Sequence, residues 1–347
     1  MKIGIIGAGI SGLTAGRELA KAGHDVTVIE KSRGFGGRLA TRYAGKDNSI
    51  KLDHGVSSFT AESAEFSGFV SELLEKNLIR VWGNRFSYHD GNTLYEDDPN
   101  ANGSTSYTAT EGMNRIGKYL ARWVDVKTEE KAGGLTYFGP YRTKKRPWMI
   151  NLTNYNTFEA DAVIIALPAP QAYGVILTCQ DEIDTLKIIS QIDEIHYDPA
   201  YMLLAGYGSR ELPDWEGIQC QGDDIEFITN EGSKRELPEC SLVIRSTPQF
   251  VQTYRERSPE TIQLALLERA SAIAGDWIQK PEWKQLHFWR YKKARKILNM
   301  PYLDFEELDS PLALVGDYFS GSSVDSAYCS GLKLARNWIE KFDSVRV

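Results

Sequence analysis

The first thirty residues constrain the fold more than any other part of the chain. An apolar run, Lys2–Ile6, is followed at once by Gly7–Gly12, in which glycines stand at positions 7, 9 and 12. A stretch with apolar residues at helical spacing then extends to Gly23, and a second apolar run, Asp25–Glu30, ends in a carboxylate. This order predicts a strand, a tight turn, a helix and a second strand, which together begin a parallel α/β sheet.

The glycines of that turn each have a physical reason. Gly7 permits the turn itself, Gly9 lets the backbone approach a pyrophosphate, and Gly12 lets the helix pack closely on the strand. The helix begins at Ile10–Ser11, where free N–H groups attract a phosphate. Glu30 is placed to accept hydrogen bonds from a ribose diol. The segment therefore predicts a dinucleotide-binding unit.

The composition excludes several classes of protein. A chain of 347 residues is long enough for two domains. Its net charge of −7, from 40 Lys plus Arg and 47 Asp plus Glu, argues against a nucleic-acid partner. The four scattered cysteines form no C-x-x-C pair, so we expect no metal site and a cytoplasmic protein with reduced thiols. No apolar run is long enough to span a bilayer, so we expect no integral membrane segment.

The segment after Glu30 indicates which dinucleotide is bound. A double glycine, Gly36–Gly37, stands between Arg33 and Arg38, and adjacent glycines allow a tight loop against a cofactor. A guanidinium can hold phosphate oxygens in a bidentate way. Here the chain resembles the flavoprotein family that includes amine oxidases, protoporphyrinogen oxidase and phytoene desaturase, whose members carry an R-x-G-G-R segment. The resemblance implies FAD, with these loop residues beside it: Lys31, Arg33, Gly36, Gly37, Arg38 and Leu39.

Two segments in the middle of the chain extend the expected cofactor site. In the resembled family an acid-x-Gly segment passes beside the flavin, and here it is Asp53, His54 and Gly55. The apolar run Ala160–Pro170 is typical of a parallel strand buried on both faces, and Pro168 helps to end it. In the resembled family this strand returns to the FAD-binding domain.

A third segment lies near the C-terminus. An apolar strand ends in Gly316 and Asp317, where an acid can bind a ribityl hydroxyl, and a small-residue helix is predicted over Tyr328–Ile339. The helix start can direct N–H groups and its dipole toward the pyrimidine end of a flavin, where negative charge gathers on reduction. We expect three residues of the approach to this helix to bind the cofactor: Val324, Asp325 and Ala327.

The run H-F-W-R-Y precedes that strand and supplies the candidate catalytic residues. On a strand, His287, Trp289 and Tyr291 share one face, while Phe288 and Arg290 share the other. An aromatic face suits stacking against a flat ring, so we predict that the first three side chains line the active site. An ordinary buried aromatic face of a sheet is the alternative.

The resemblance then narrows to the renalase family within the amine-oxidase-like flavoproteins. H-x-W-R-Y carries it, together with Asp53–Gly55, Gly112–Asn114, and Phe227–Ile228 leading to Ser233–Lys234, over residues 3 to about 338. The chain departs from the family at Ser323–Ala327, where Arg-Val-Glu-Gly-Ala is common, and after W-R-Y, where Lys replaces Ala.

This resemblance implies an FAD oxidase. Renalases take hydride from isomeric dihydro forms of NAD(P)H, return normal NAD(P)+, and pass the electrons to molecular oxygen as hydrogen peroxide. The expected partners are therefore a reduced nicotinamide dinucleotide and oxygen. FAD is expected to be non-covalent, because no cysteine stands where attachment would be proposed. The alternatives are an oxidase of a small amine, a desaturase-like flavoprotein, and a nucleotide-binding protein without turnover.

The predicted fold class is α/β, with a Rossmann-like FAD/NAD(P)-binding domain that is discontinuous in sequence. An α+β substrate-binding domain with an antiparallel sheet is expected beside it. We assign residues 1–60, 105–170 and 295–347 to the first domain, and residues 61–104 and 171–294 to the second. No metal is expected at either.

Overall fold

A computed structural model gives the fold. It describes residues 1–44, 48–83, 85–99, 103–139, 145–179, 183–222, 224–235, 239–305 and 310–344. The strands, numbered in chain order, are β1 (Lys2–Ile6), β2 (Asp25–Ile29), β3 (Thr41–Ala44), β4 (Ile50–Asp53), β5 (Ile79–Val81), β6 (Phe86–His89), β7 (Leu94–Tyr95), β8 (Tyr107–Ala109), β9 (Asp125–Lys127), β10 (Ala132–Tyr137), β11 (Trp148–Leu152), β12 (Thr157–Ala160), β13 (Ala162–Ile165), β14 (Tyr197–Gly206), β15 (Gly217–Cys220), β16 (Ile225–Asn230), β17 (Ser241–Ser246), β18 (Trp283–Ala294), β19 (Leu303–Asp304) and β20 (Leu312–Leu314).

Helices connect and cover these strands. They are α1 (Ile10–Lys21), α2 (Ala64–Glu75), α3 (Asn114–Leu120), α4 (Ala169–Ile176), α5 (Thr185–Ile192), α6 (Glu231–Arg235), α7 (Pro248–Tyr254), α8 (Pro259–Ala274) and α9 (Val324–Ser344). Single turns of 3-10 helix lie at Ala121–Trp123, Leu177–Cys179, Asp276–Gln279 and Asp317–Phe319.

The dinucleotide-binding sheet has the order β19-β20-β13-β1-β2-β9. All neighbours are parallel except β19 and β20, and β1 lies between β2 and β13, with Ile5 opposite Val28 and Ile164. The apolar run of β13 is fully buried on both faces, as the sequence predicted for a parallel strand. This sheet confirms the predicted Rossmann-like fold.

Two layers cover this sheet. On one side a core cluster joins α1, α2, α3 and α9, with Leu13, Phe66, Ile116 and Trp338 all buried. On the other side a second cluster joins the three-stranded sheet β10-β11-β12 to α4 and α5. The beginning, middle and end of the chain therefore share one core.

A seven-stranded sheet forms the second part of the molecule, in the order β18-β14-β17-β16-β15-β6-β7. Its pairs are antiparallel except β15 with β6, so the sheet is mixed rather than wholly antiparallel. One face packs on α7 and α8. The opposite face carries Met202, Leu204 and Val243, which pack against Ile50 and Leu52 of β4.

The packing changes the expected division of the chain. Helix α2 lies in the core of the dinucleotide-binding layers, and α4 and α5 cover their other side, although the sequence-based division put α2, α5 and most of α4 in the substrate-binding domain. The apolar side chains of these helices are buried against Rossmann-layer residues, which explains the difference. We propose boundaries near Trp82, Ser106, Tyr197 and Ala294, so that the second domain is the seven-stranded sheet with α6, α7 and α8.

Candidate cofactor cleft and substrate cavity

A cleft of about 810 Å³ lies where β1, β2, β18 and the start of α9 meet. We call it the cofactor cleft. Of the residues predicted from sequence, the structure brings these to its walls: Gly7, Gly9, Ile10, Ser11, Glu30, Lys31, Gly36, Gly37, Arg38, Leu39, Pro168, His287, Trp289, Tyr291, Gly316, Asp317, Val324 and Ala327. Segments more than 300 residues apart in sequence therefore form one cavity.

The glycine turn has the shape that a pyrophosphate requires. Gly7 has φ +107°, and a Cβ there would lie 2.6 Å from the carbonyl oxygen of Ala166. A Cβ on Gly9 would meet nothing within 4 Å and would enter the cleft. Gly9 is also the N-cap of α1 and offers no side-chain cap, so the first N–H groups of the helix have no partner from it. The turn therefore fits the diphosphate of FAD.

Gly12 has a packing role at this turn. A Cβ at Gly12 would lie 2.3 Å from the carbonyl oxygen of Gly7 and 2.8 Å from Ala166 Cβ. Its place is between α1 and the sheet, and it does not line the cleft. It supports the cofactor cleft through close helix–strand packing, which is the reason the sequence pattern gives for this glycine.

Glu30 is held rigidly at the end of β2. Its carboxylate accepts hydrogen bonds from the backbone N–H groups of Ala8, at 2.9 Å, and Ser32, at 2.8 Å. The residue is 8% exposed and borders the cofactor cleft. A carboxylate at the end of the second strand, beside the glycine turn, is placed to accept hydrogen bonds from a ribose diol.

In the loop after β2, neither Arg33 nor Arg38 has the predicted contact with a pyrophosphate. Arg38 binds both carboxylate oxygens of Asp317, at 2.6 and 2.9 Å, and also donates to the carbonyl oxygen of Lys292. Burial opposes the charge of Arg38, but the adjacent Asp317 outweighs it and raises the pKa of the guanidinium. Arg33 is exposed and lies outside the cleft. Neither guanidinium is therefore placed to hold the pyrophosphate, which corrects the expectation.

Helix α9 begins earlier than predicted. Ser323 and Ser326 cap the helix reciprocally, because each side-chain oxygen accepts the backbone N–H of the other, at 2.8 and 3.0 Å. The helix start at Val324 therefore borders the cleft. Asp325 does not, since it accepts hydrogen bonds from the backbone of Glu62 and from Ser63 at the start of α2. Its predicted cofactor contact is corrected to a structural role.

Asp53 is also corrected. It is 1% exposed and belongs to a buried ion cluster with Glu231, Lys234 and Arg235. Burial would raise the pKa of its carboxyl, but Lys234 and Arg235 outweigh that effect and hold the pKa below its usual value. This cluster joins β4 to α6, and we call it the ion cluster. Gly55, two residues later, borders the second cavity described below.

His54 lies behind the aromatic face of β18. Its ring stacks on Trp289 with centroids 5.6 Å apart and meets His287 edge-on at 4.5 Å. The Trp289 indole N–H donates to the His54 carbonyl oxygen at 2.7 Å. His54 lines neither cavity, so its predicted contact with the cofactor is corrected to support of the aromatic face.

Both imidazoles are neutral at pH 7. Burial, followed by the neighbouring His287 and Arg42, lowers the pKa of His54 to about 3. Burial and then Arg42 lower the pKa of His287. The candidate active face therefore carries aromatic, uncharged groups at neutral pH.

The predicted alternation along β18 is present. His287, Trp289 and Tyr291 are partly buried, whereas Phe288 and Arg290 are exposed. Tyr291 packs edge-on against Tyr197 with centroids 5.6 Å apart. All three predicted catalytic side chains border the cofactor cleft.

A second cavity, of about 830 Å³, adjoins the cofactor cleft. The two share Arg38, Val56, Ser58, Thr60, Ser106, Trp289, Lys292 and Ser322. The open face of the seven-stranded sheet forms one wall, through Met202, Gln219, Phe227 and Arg245. We call this space the second cavity.

Sequence reasoning missed several residues of the cofactor cleft and all of the sheet wall of the second cavity. The missed cleft residues are Ser32, Val56, Ser58, Phe59, Thr60, Ser106, Ala166, Leu167, Gln171, Phe288, Arg290, Lys292, Ser322 and Ser323. Some continue predicted motifs by a few residues. For the sheet wall, the available signal was a charged Arg245 at the end of the apolar strand β17.

Within the described residues, no group of three or more His, Cys, Asp or Glu side chains could hold a metal ion. Across the same residues, the structure contains no helix with the length and apolar character that crossing a membrane requires. All four cysteines are buried, and none lines the cofactor cleft.

Comparison with known proteins places the chain in a family. The family model for flavin containing amine oxidoreductase matches residues 72–339, and the model for an NAD(P)-binding Rossmann-like domain matches residues 5–73. L-amino-acid oxidase of Siganus canaliculatus is 36% identical over 91 residues, which are 26% of this chain and 16% of that protein. A 4,4'-diapophytoene desaturase of Staphylococcus aureus (strain Newman) is 51% identical over 39 residues, 11% of this chain and 8% of that protein. The matches thus span less than a fifth of these curated relatives.

Solved structures agree in fold over nearly the whole chain. Cyclohexylamine oxidase from Brevibacterium oxydans has a TM-score of 0.74 at 13% identity, with 99% of both chains covered. Wild-type putrescine oxidase bound to putrescine has a TM-score of 0.69 at 14% identity, with 98% of this chain and 99% of that chain covered. The family match, which covers most of the chain, and the fit of the cofactor cleft agree with the predicted FAD. The chain belongs to the flavin containing amine oxidoreductase family.

Proposed function

We propose that this protein is an FAD-dependent oxidase whose electron donor is a reduced nicotinamide dinucleotide in an isomeric dihydro form. The observation that carries the proposal is the second cavity, which adjoins the cofactor cleft and matches it in volume, about 830 against 810 Å³. A donor of dinucleotide size would use that space, whereas a small amine would leave most of it to water.

The charge of the second cavity supports an anionic donor. Four cationic side chains border it, namely Arg38, Arg245, Lys292 and Lys293. Three carboxylates border it as well, Asp97, Asp98 and Glu226. Because Arg38 is already bound by Asp317, the other three cations balance the three carboxylates, and the second cavity is close to neutral in a chain whose total charge is −7. A cavity without the negative excess of the whole chain admits a substrate that carries phosphate more readily than the rest of the surface does.

The aromatic face suits a donor that needs no base. FAD, when bound, supplies hydride acceptance from the donor and transfer of the electrons to oxygen. Trp289 borders both cavities, and His287 borders the cofactor cleft beside it. Both His54 and His287 are neutral at pH 7 because their pKa values are lowered. Loss of hydride from a dihydropyridine creates an aromatic ring, so no side chain has to remove a proton.

Oxidation of a small amine is the second candidate, and it agrees with the family to which the chain belongs. Asp97, Asp98 and Glu226 could each attract an ammonium group before it loses its proton. Glu226, however, already pairs with Lys292 and lies 4.0 Å from Arg245. That pairing favours the anionic donor at this part of the cavity.

Anaerobic reduction of the FAD-loaded protein tests the proposal. Isomerised NADH or NADPH should bleach the visible flavin absorbance within the mixing time or seconds, whereas ordinary NADH and a panel of amines that includes putrescine and cyclohexylamine should not. Admission of oxygen should restore the colour and release hydrogen peroxide. Bleaching by an amine and by no dihydronicotinamide would establish the second candidate instead. Protein that cannot be loaded with FAD would contradict both.

A further inference from the structure

The sheet wall of the second cavity carries an under-bonded arginine beside an ion pair. Arg245, on β17, donates to Ser57 Oγ at 3.3 Å and has its guanidinium 4.0 Å from a carboxylate oxygen of Glu226. Its buried Nε–H has no hydrogen-bond partner among the described residues. Glu226 is also the partner of Lys292, so two cations share one carboxylate. A guanidinium with five donors is thus left short of acceptors.

The surroundings hold this charge in place. The guanidinium carbon of Arg245 lies 5.6 Å from the ring centroid of Phe227, which also borders the cavity. The Arg245 side chain is 20% exposed and that of Lys292 is 14% exposed, so solvent screens them less than it would surface charges. Burial lowers the pKa of Lys292, and Glu226 opposes that effect. One cation in excess of the carboxylate remains in a half-buried wall.

The strand register sets the distance from this charge to the aromatic face. His287 on β18 is opposite Met202 on β14, and Met202 is opposite Arg245 on β17. Directly paired residues point to the same face, so His287 and Arg245 lie two strands apart on one face, about 10 Å at the usual strand spacing. That separation is comparable to the span between a nicotinamide ring and the pyrophosphate of its dinucleotide.

We infer that Arg245 and Lys292, with Glu226 between them, form a subsite for an anionic phosphate group of the electron donor. The inference rests on the proposed function for the identity of the donor, and it assigns this chain a recognition site in the second cavity, where Lys292 also borders the cofactor cleft. Ser57 Oγ orients the guanidinium. Glu226 keeps the two cations together while the subsite is empty and competes with the phosphate for them.

Substitution of Glu226 distinguishes a phosphate subsite from an ion pair that only stabilises the fold. Replacing Glu226 with glutamine removes the competing carboxylate but keeps the side-chain shape, so phosphate should bind several-fold more tightly. Replacing Arg245 with glutamine should weaken binding by at least tenfold. If the same carboxylate instead held the ammonium of an amine donor, Glu226→Gln would weaken donor binding.

Calorimetric titration of the FAD-saturated protein with ADP-ribose is the test, because this ligand carries the pyrophosphate but no reducible ring. We expect binding that Arg245→Gln weakens and Glu226→Gln strengthens. The matched control is Lys284→Gln, on an exposed part of the same strand as Lys292, which should bind like the unmodified protein. The affinity for adenosine, which lacks phosphate, should be the same in all three variants as in the unmodified protein.

Several results would overturn the inference. These are no binding of ADP-ribose by the unmodified protein, equal affinity in Arg245→Gln and Lys284→Gln, or weaker binding in Glu226→Gln. If Arg245→Gln cannot be loaded with FAD, the conservative Arg245→Lys and the Glu226→Gln variant decide the matter, the former expected to keep part of the affinity.

The titration also separates this inference from the proposed function. ADP-ribose binding that depends on Arg245, without flavin reduction by any dihydronicotinamide, would support the subsite and contradict the proposed function. If isomerised NADH reduces the flavin, and its apparent affinity is the same in Arg245→Gln and in the unmodified protein, the proposed function is supported and the subsite is contradicted.

Discussion

The cofactor cleft and the second cavity have similar volumes but are built in different ways. The cleft is formed by short contiguous motifs at turns of the chain. Glycines such as Gly7 and Gly9 leave room there for a ligand beside the backbone. The second cavity uses side chains from β14, β16 and β17, brought together by strand register. The backbone that would bind the cofactor is therefore determined by local sequence, whereas the sheet wall of the second cavity is determined by which strands pair.

The largest expected effect breaks the cleft alone. Gly9 has φ −73° and ψ 172°, which valine adopts, and its Cβ would meet no atom within 4 Å. Gly9→Val should therefore fold but fill the space for the pyrophosphate, so that FAD binding is lost by about a thousandfold or more, about 4 kcal/mol. Flavin absorbance per protein after reconstitution measures this.

The control for this prediction lies in the neighbouring loop. Gly34 also has open space around a Cβ, but it lies outside both cavities. Gly34→Val should retain FAD. Full FAD occupancy in Gly9→Val would contradict the assignment of the pyrophosphate to this turn.

The next effect concerns the joint between the two regions. Lys234 is fully buried and pairs with Glu231 at 2.7 Å and Asp53 at 3.5 Å in the ion cluster. Lys234→Met should lower the free energy of unfolding by about 3–5 kcal/mol, because two buried carboxylates then share Arg235. Denaturant unfolding measures it, and Lys284→Met on the exposed part of β18 is the control, with a change below about 0.5 kcal/mol. Equal stability of the two variants would contradict the role of the cluster.

The aromatic face should give a smaller, pH-dependent effect. The pKa of His54 is about 3 in the folded protein, against an ordinary value of 6.5. Between these two pH values the unfolded chain binds a proton at His54 and the folded protein does not. Its contribution to stability is present above pH 6.5 and is lost as pH falls, by about 2 kcal/mol between pH 8 and pH 5. The decrease in unfolding free energy over this interval should be smaller by that amount in His54→Gln. An unchanged decrease would show that His54 is not buried as a neutral group.

The smallest effect compares helix caps in the two regions. Ser323 caps α9 beside the cofactor cleft, and Ser258 caps α8 behind the second sheet, accepting from Thr261. Replacing either with alanine should cost about 1 kcal/mol of stability. Only Ser323→Ala should also weaken FAD binding, because Ser323 lines the cleft. Weaker FAD binding in Ser258→Ala as well would remove that distinction.

The sequence predicted much of the cofactor cleft but not the sheet wall of the second cavity. β1, α1 and β2 lie within a few residues of their predicted places, because glycine spacing and hydrophobic period are local properties. Asp53 was misassigned because an acid at a strand end looks the same whether it faces a cofactor or a lysine 181 residues away. Arg245 and Lys292 were missed because no local pattern states which strands pair. The early start of α9 was missed because its reciprocal cap uses two serines.

Oxidation of a dihydronicotinamide by the bound FAD is tested most directly by a single-turnover product analysis under anaerobic conditions. Protein loaded with FAD is mixed with isomerised NADH, and the nicotinamide product is identified and counted against the flavin reduced. We expect NAD+ in an amount equal to reduced flavin, with an equal amount of hydrogen peroxide after oxygen is admitted. Flavin that stays oxidised with this donor, but is reduced by an amine that is converted to its imine or aldehyde, would contradict it.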